Sequence, residues 1–287
     1  MRAFLGRLGL AAGLLLAGPA AAQDEDPVEH GKYLVHAAGC VACHTVPKSE
    51  KYLAGGVALK TPFGTFYTPN ITPDEKTGLG TWSEAQFLEA LKHGRAPDGS
   101  AYYPAFPYTS YSGMTDDDAK ALFAYLKSVP AIEQANREHE LDFPFGWRWL
   151  AGVWQSLFFE PRPFKADPDQ SEAWNRGAYL VQDLGHCGEC HTPRGWLGAT
   201  EQDKALSGNP EGPEGKSVPN ITPGKGGIGD WSESDIAWYL KTGFLPDGDY
   251  VGGAMVEVVT EGTSKLTDDD RRAIAEYLVS VPPLPTP

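Results

Sequence analysis

Apolar positions along this chain come in short helical bursts, separated by long stretches rich in proline and glycine. After Ser83, Phe87, Leu88 and Leu91 share one helical face; after Ser232, Ile236, Trp238, Tyr239 and Leu240 follow similar spacing. Each serine is placed to cap its helix. Thr115 and Thr267 open two more helices, whose first turns, Asp116-Asp117-Asp118 and Asp268-Asp269-Asp270, set negative charge at the positive helix end. Pro130 and Pro282 stop them. Two shorter segments, Gly31 to Ala38 and Arg176 to Leu184, complete the pattern, which predicts an all-α fold in small units.

The same landmarks occur twice and in the same order. Gly31-Lys32-Tyr33-Leu34-Val35 returns as Gly177-Ala178-Tyr179-Leu180-Val181, and Pro69-Asn70-Ile71-Thr72-Pro73 as Pro219-Asn220-Ile221-Thr222-Pro223. Trp82-Ser83-Glu84 returns as Trp231-Ser232-Glu233, and Pro97-Asp98-Gly99 as Pro246-Asp247-Gly248. An internal repeat of this length predicts two tandem domains, 27–134 and 174–284. The connecting stretch 135–173 is too aromatic for a flexible tether, with Phe143, Phe145, Trp147, Trp149, Trp154, Phe158 and Phe159. It is expected to be ordered, as a short helix packed between the domains rather than as an exposed docking surface.

Residues 1–22 read as a cleaved secretory signal: Arg2 and Arg7 precede the apolar run Leu8 to Ala17, and small residues lead to Ala22. That run is too short to span a bilayer, and no later segment is long and apolar enough, so no membrane span is expected after cleavage. Net charge is −14, or −16 once Arg2 and Arg7 are removed, which argues against nucleic acid and favours partners with a basic face.

Charge informs partners; the cysteines inform chemistry. All four lie in two copies of C-x-x-C-H, Cys40-Val41-Ala42-Cys43-His44 and Cys187-Gly188-Glu189-Cys190-His191. Two thiols one helical turn apart can form thioethers to the two vinyl groups of a haem, and a histidine directly after the second can reach the iron. A redox C-x-x-C does not need the histidine, and a zinc site needs further ligands at finger-like spacing. The duplicated motif therefore predicts two covalently attached haem c groups.

A second axial ligand separates an electron carrier from an enzyme with an open iron. Beyond Met1 the chain has only Met114 and Met255, one per repeat and each after its haem motif. Methionine opposite histidine closes the iron to substrates, so His44, Met114, His191 and Met255 are the expected iron ligands. The two methionines are not equivalent: from the Pro-Asp-Gly landmarks Met255 aligns with Phe106, and from the Thr-Asp-Asp-Asp landmarks Met114 aligns with Leu266. Asn70, Asn220 and Arg194 are candidate partners of haem propionates, and Trp82 and Trp231 are candidates to pack on a haem edge.

These residues resemble the mono- and dihaem c-type cytochromes, a family that includes cytochrome subunits of periplasmic alcohol, aldehyde and gluconate dehydrogenases. Besides the haem motifs, the resemblance is carried by Tyr103-Pro104-Ala105-Phe106-Pro107-Tyr108, by Gly185-His186-Cys187 through Thr192-Pro193-Arg194, and by Met255-Val256-Glu257-Val258-Val259. It implies two tandem class I cytochrome c-like domains. It also implies periplasmic one-electron transfer between a dehydrogenase or quinol donor and a downstream cytochrome or oxidase, with no catalytic residues. Those dehydrogenase subunits typically carry three haem motifs and a methionine where Phe106 stands, so this chain departs from them twice. The competing expectation is a dihaem peroxidase, which needs one open iron.

Overall fold

A computed structural model describes residues 26–287 of the chain. The expected signal segment 1–22 lies outside the described residues. The first helix, α1 (Pro27–Ala37), starts where Asp26 accepts from the Val28 amide and Pro27 occupies the first turn. It buries Leu34 and Val35 against α5 (Asp116–Ser128). That crossing is close because Gly31 has no side chain: a Cβ there would lie 2.0 Å from the Ala121 carbonyl oxygen. In the second half, α7 (Glu172–Tyr179) crosses α11 (Asp268–Ser280) in the same way, with Gly177 set against the Ala273 carbonyl.

Between these helices lie α2 (Cys40–His44), α3 (Glu84–His93) and α4 (Tyr108–Tyr111) in the first half. The second half has α8 (Gly188–His191), α9 (Glu233–Thr242) and α10 (Met255–Glu261). The expected caps form. Ser83 and Ser232 each close a capping box, with Gln86 and Asp235 reaching back, and Thr115 and Thr267 accept from the amides of Asp118 and Asp270. α6 (Trp149–Phe158) lies in the connecting stretch.

Two features depart from the expected fold. The chain is mostly helical but not all-α: β1 (Ala58–Thr61) and β2 (Gly64–Tyr67) form an antiparallel hairpin, and β3 (Glu140–Leu141) from the connecting stretch pairs with β2. The cause is local. Gly64 sits at φ +113, and a Cβ there would lie 2.4 Å from the Glu140 carbonyl oxygen, so only glycine admits the third strand.

The other departure is a one-residue insertion. Eight residues lie between Gly31 and Cys40, but nine between Gly177 and Cys187. The extra residue is absorbed in a π-helical turn, Leu180–Leu184, which keeps both α7 and the second motif in register.

The halves meet through reciprocal contacts. Tyr33 on α1 donates to Asp270 at the start of α11 (2.6 Å) and accepts from the Thr267 amide (3.2 Å). Its repeat partner Tyr179 donates to Asp118 at the start of α5 (2.6 Å) and accepts from the Thr115 amide (3.1 Å). Each aspartate is also held within its own half, Asp118 by His30 and Asp270 by Arg176. Because residue i of one half meets residue j of the other and the reverse also holds, the interface has the logic of a two-fold axis within one chain.

Candidate haem sites

Each C-x-x-C-H forms a short helix, and the residue before its first cysteine is left-handed: Gly39 at φ +67 and His186 at φ +41. The four cysteines are unpaired. Burial raises the Cys40 and Cys187 thiols to about 12, so neither is a reactive thiolate. All four nevertheless keep some surface open, as the wall of a site for a bulky group would.

The histidines are fixed more closely than the sequence alone foretold. His44 Nδ1 lies 2.8 Å from the Pro69 carbonyl oxygen, and His191 Nδ1 lies 2.7 Å from that of Pro219. A carbonyl only accepts, so Nδ1 carries the proton and Nε2 keeps its lone pair. Burial lowers both pKa values and keeps the rings neutral. A neutral imidazole tethered through Nδ1, beside two thiols one turn apart, is the donor set that covalent haem requires. The residues present fit the group twice.

The repeated Pro-Asn-Ile-Thr-Pro segment supplies these tethers, and its asparagines bond within the chain. The Asn70 amide donates to Ile132 O and Thr77 Oγ1 and accepts from the amide and hydroxyl of Thr72. All four of its hydrogen-bonding positions are taken. Asn220 likewise donates to Leu284 O and accepts from the Thr222 amide. Both are buried, and each ties the haem-side loop to the chain emerging from the last helix of its half.

Arg194 is engaged within the second half. Its guanidinium pairs with Glu189 and donates to the carbonyls of Glu189 and Gly198. Glu189, the residue between the cysteines of the second motif, also accepts from Thr109 (2.7 Å) and Ser110 (3.1 Å) of the first half; against the upward push of burial, Arg194 and Thr109 hold its carboxylate below the usual range. It locks the second motif to α4 and carried no signal in the sequence beyond its position.

Trp82 and Trp231 are half-buried against the core, and Trp231 meets Tyr239 edge to face. Met114 is 1 % exposed within the core cluster. Met255 is partly exposed at the start of α10, which packs against both α9 and the first haem motif's helix α2. Phe106, where the repeat would put a second such methionine, lies among the rings of Tyr102, Tyr108 and Tyr111.

The two motifs adjoin one another. A Cβ at Gly39 would be 3.2 Å from His186 Nε2, Tyr111 stacks edge-on to His186 and donates to the Ala38 carbonyl, and the Cys190 thiol raises that of Cys43. Tyr111 thus wedges between the attachment segments.

Fold and site together define a mostly helical protein whose repeated thiol pairs and tethered histidines suit covalently attached porphyrin. The comparisons agree: the cytochrome c family matches residues 28–130. A dihaem cytochrome c-type protein of Cereibacter sphaeroides is 44 % identical over 95 % of this chain and 94 % of its own length. The cytochrome c subunit of a quinone alcohol dehydrogenase from Gluconacetobacter polyoxogenes is 42 % identical over 94 % of this chain, which spans 60 % of that protein. A fructose dehydrogenase cytochrome subunit of Gluconobacter japonicus is 42 % identical over 89 % of this chain, which spans 52 % of it. The chain belongs to the dihaem c-type cytochromes.

Proposed function

We propose that this chain relays single electrons in the periplasm, from a dehydrogenase or quinol donor to a cytochrome or oxidase. Two tandem class I cytochrome c-like domains, 27–134 and 174–284, are joined by the ordered stretch 135–173. Cys40 and Cys43 anchor one haem c, Cys187 and Cys190 the other, and the haem iron supplies reversible one-electron chemistry. His44 and His191 each offer Nε2 to iron. Met114 and Met255 would supply sulfur ligands and Trp82 and Trp231 would pack on haem, while the chain itself moves no proton and breaks no bond.

The observation that carries this reading is the matched pair of neutral histidines, each tethered at Nδ1 beside two free thiols. Contact between the attachment segments supports rapid exchange between the haems. The similarity to dehydrogenase cytochrome subunits supports the donor class.

Expressed in a host with haem-ligation machinery, the protein should gain the mass of two haems and show the near-infrared sulfur-to-iron band. It should ignore carbon monoxide. Met114→Ala and Met255→Ala should each make one haem carbon-monoxide-reactive; a wild-type protein that binds the gas or turns over peroxide would reverse the assignment to an enzyme.

A further inference from the structure

Helix α6 is built inside out. Its inward face carries Ala151 and the polar Gln155, whose amide donates to the carbonyls of His93 and Gly94 in the first half. Trp154 Nε1 donates to Leu197 O in the second half (2.9 Å). The helix therefore bridges the halves, as expected, but its outward face is apolar: Trp149 is 62 % exposed, Val153 43 % and Leu157 67 %. The expectation that it is packed rather than exposed holds for one face only.

The apolar surface continues past the helix. Trp149 stacks on Trp147, Trp147 meets Phe143 edge-on, and Trp196, 87 % exposed, neighbours Leu197. With aromatic side chains able to bury about 150–250 Å² each, the patch amounts to roughly 800 Å², one partner's share of a specific interface. A typical monomer leaves smaller patches bare.

Charge selects the occupant. A helix lying on a bilayer needs a cationic rim to meet anionic headgroups. Here the flanking charges from 137 to 162 are Glu138, Glu140, Asp142 and Glu160 against Arg137, Arg148 and Arg162; Arg137 pairs with Glu140, Arg148 is turned over the rings of Tyr102 and Tyr103, and Arg162 lies 3.8 Å from Asp183. A second copy would bring another chain of net charge −14 to the same rim. A different protein with an apolar centre and a basic or neutral rim meets neither obstacle.

The patch also reaches the second haem motif. Trp196 is five residues beyond His191, and Arg194 between them is bonded to Glu189 inside the motif. We infer that the outward face of α6, with Trp147 and Trp196, is the docking surface for the catalytic subunit of a dehydrogenase that delivers electrons to the second haem. This rests on the electron-relay reading and adds the place of entry to it.

The test uses the full dihaem chain and the variant Trp149→Glu/Leu157→Glu, both of whose positions are exposed. The probe is the catalytic subunit of a quinone alcohol dehydrogenase, reduced by its alcohol. Both proteins should carry two haems, melt alike and be reduced equally by ascorbate or dithionite. Reduction by the subunit at sub-saturating concentration should be at least tenfold slower in the variant.

Equal rates, or no reduction of the wild type by the subunit, overturn the docking surface. So does flotation of the wild type with phosphatidylcholine–phosphatidylglycerol vesicles, or sedimentation as a dimer, if the variant abolishes it. Failure of the relay reading is separate: it appears as haems that chemical reductants cannot reduce and reoxidise.

Discussion

At the residue scale, the most informative side chains are buried polar ones with a full or an empty set of partners. The Asn70 side chain makes four hydrogen bonds, and truncating it leaves the Thr72 amide without its partner and the Ile132 carbonyl with only the longer bond from the Thr72 hydroxyl. Asn70→Ala should lower stability by about 2–4 kcal/mol in chemical denaturation while leaving two haems attached. Loss of the haem with folding intact would assign the residue to the propionate instead.

Asp183 is the converse. Its carboxylate is fully buried, both oxygens lack a hydrogen bond, and the nearest cation, Arg162, is 3.8 Å away. Burial raises its pKa to about 7, against an ordinary value near 4. The folded chain thus holds a proton that the unfolded chain has lost above about pH 4. Folding weakens as pH rises from about 4 to 7, and the deficit persists above that. Asp183→Asn should stabilise by on the order of 1–3 kcal/mol at pH 8 and by almost nothing at pH 4, read from paired thermal melts.

At the scale of elements, the duplicated glycine crossings set how closely the helices behind each haem motif approach. Gly31→Ala puts a methyl group against the Ala121 carbonyl and Gly177→Ala one against that of Ala273. Each should cost about 2–3 kcal/mol through forced separation of its helix pair, despite alanine's better helix propensity. A melting temperature raised by either change would refute the packing argument.

The π-helical turn is a second lesson at this scale. Its signal, eight residues against nine between the repeated glycine and cysteine, stands in the sequence. The spacing alone does not say whether the extra residue enters a loop or a helix. Packing decides, because α7 must keep Gly177 on α11 while the second motif keeps its place beside the first.

For the whole molecule, the reciprocal tyrosines couple the halves. Tyr33 and Tyr179 each donate to a carboxylate of the opposite half while accepting an amide at a helix start. Tyr33→Phe and Tyr179→Phe should each cost about 1.5–3 kcal/mol, as loss of hydrogen bonds to charged groups does. Together they should split one calorimetric unfolding transition into two. A single transition in the double variant would show that α6 and the Glu189 node hold the halves together without them.

The sequence by itself determined the haem chemistry, the repeat and the capped helix starts at Ser83, Thr115, Ser232 and Thr267, whereas α1 and α7 begin four residues before the expected Gly31 and Arg176. Thioether spacing, capping and hydrophobic period act over a few residues, and the duplication tested each of them twice. It also marked the connecting stretch as ordered. Only the tertiary structure decided that the repeated Pro-Asn-Ile-Thr-Pro tethers the histidines, that β3 pairs with the hairpin, and that Arg194 pairs with Glu189. It alone showed that α6 turns its apolar face outward. Each of these depends on which group from a distant part of the chain arrives first at a hydrogen-bonding atom or a hydrophobic face, and local pattern carries no record of that.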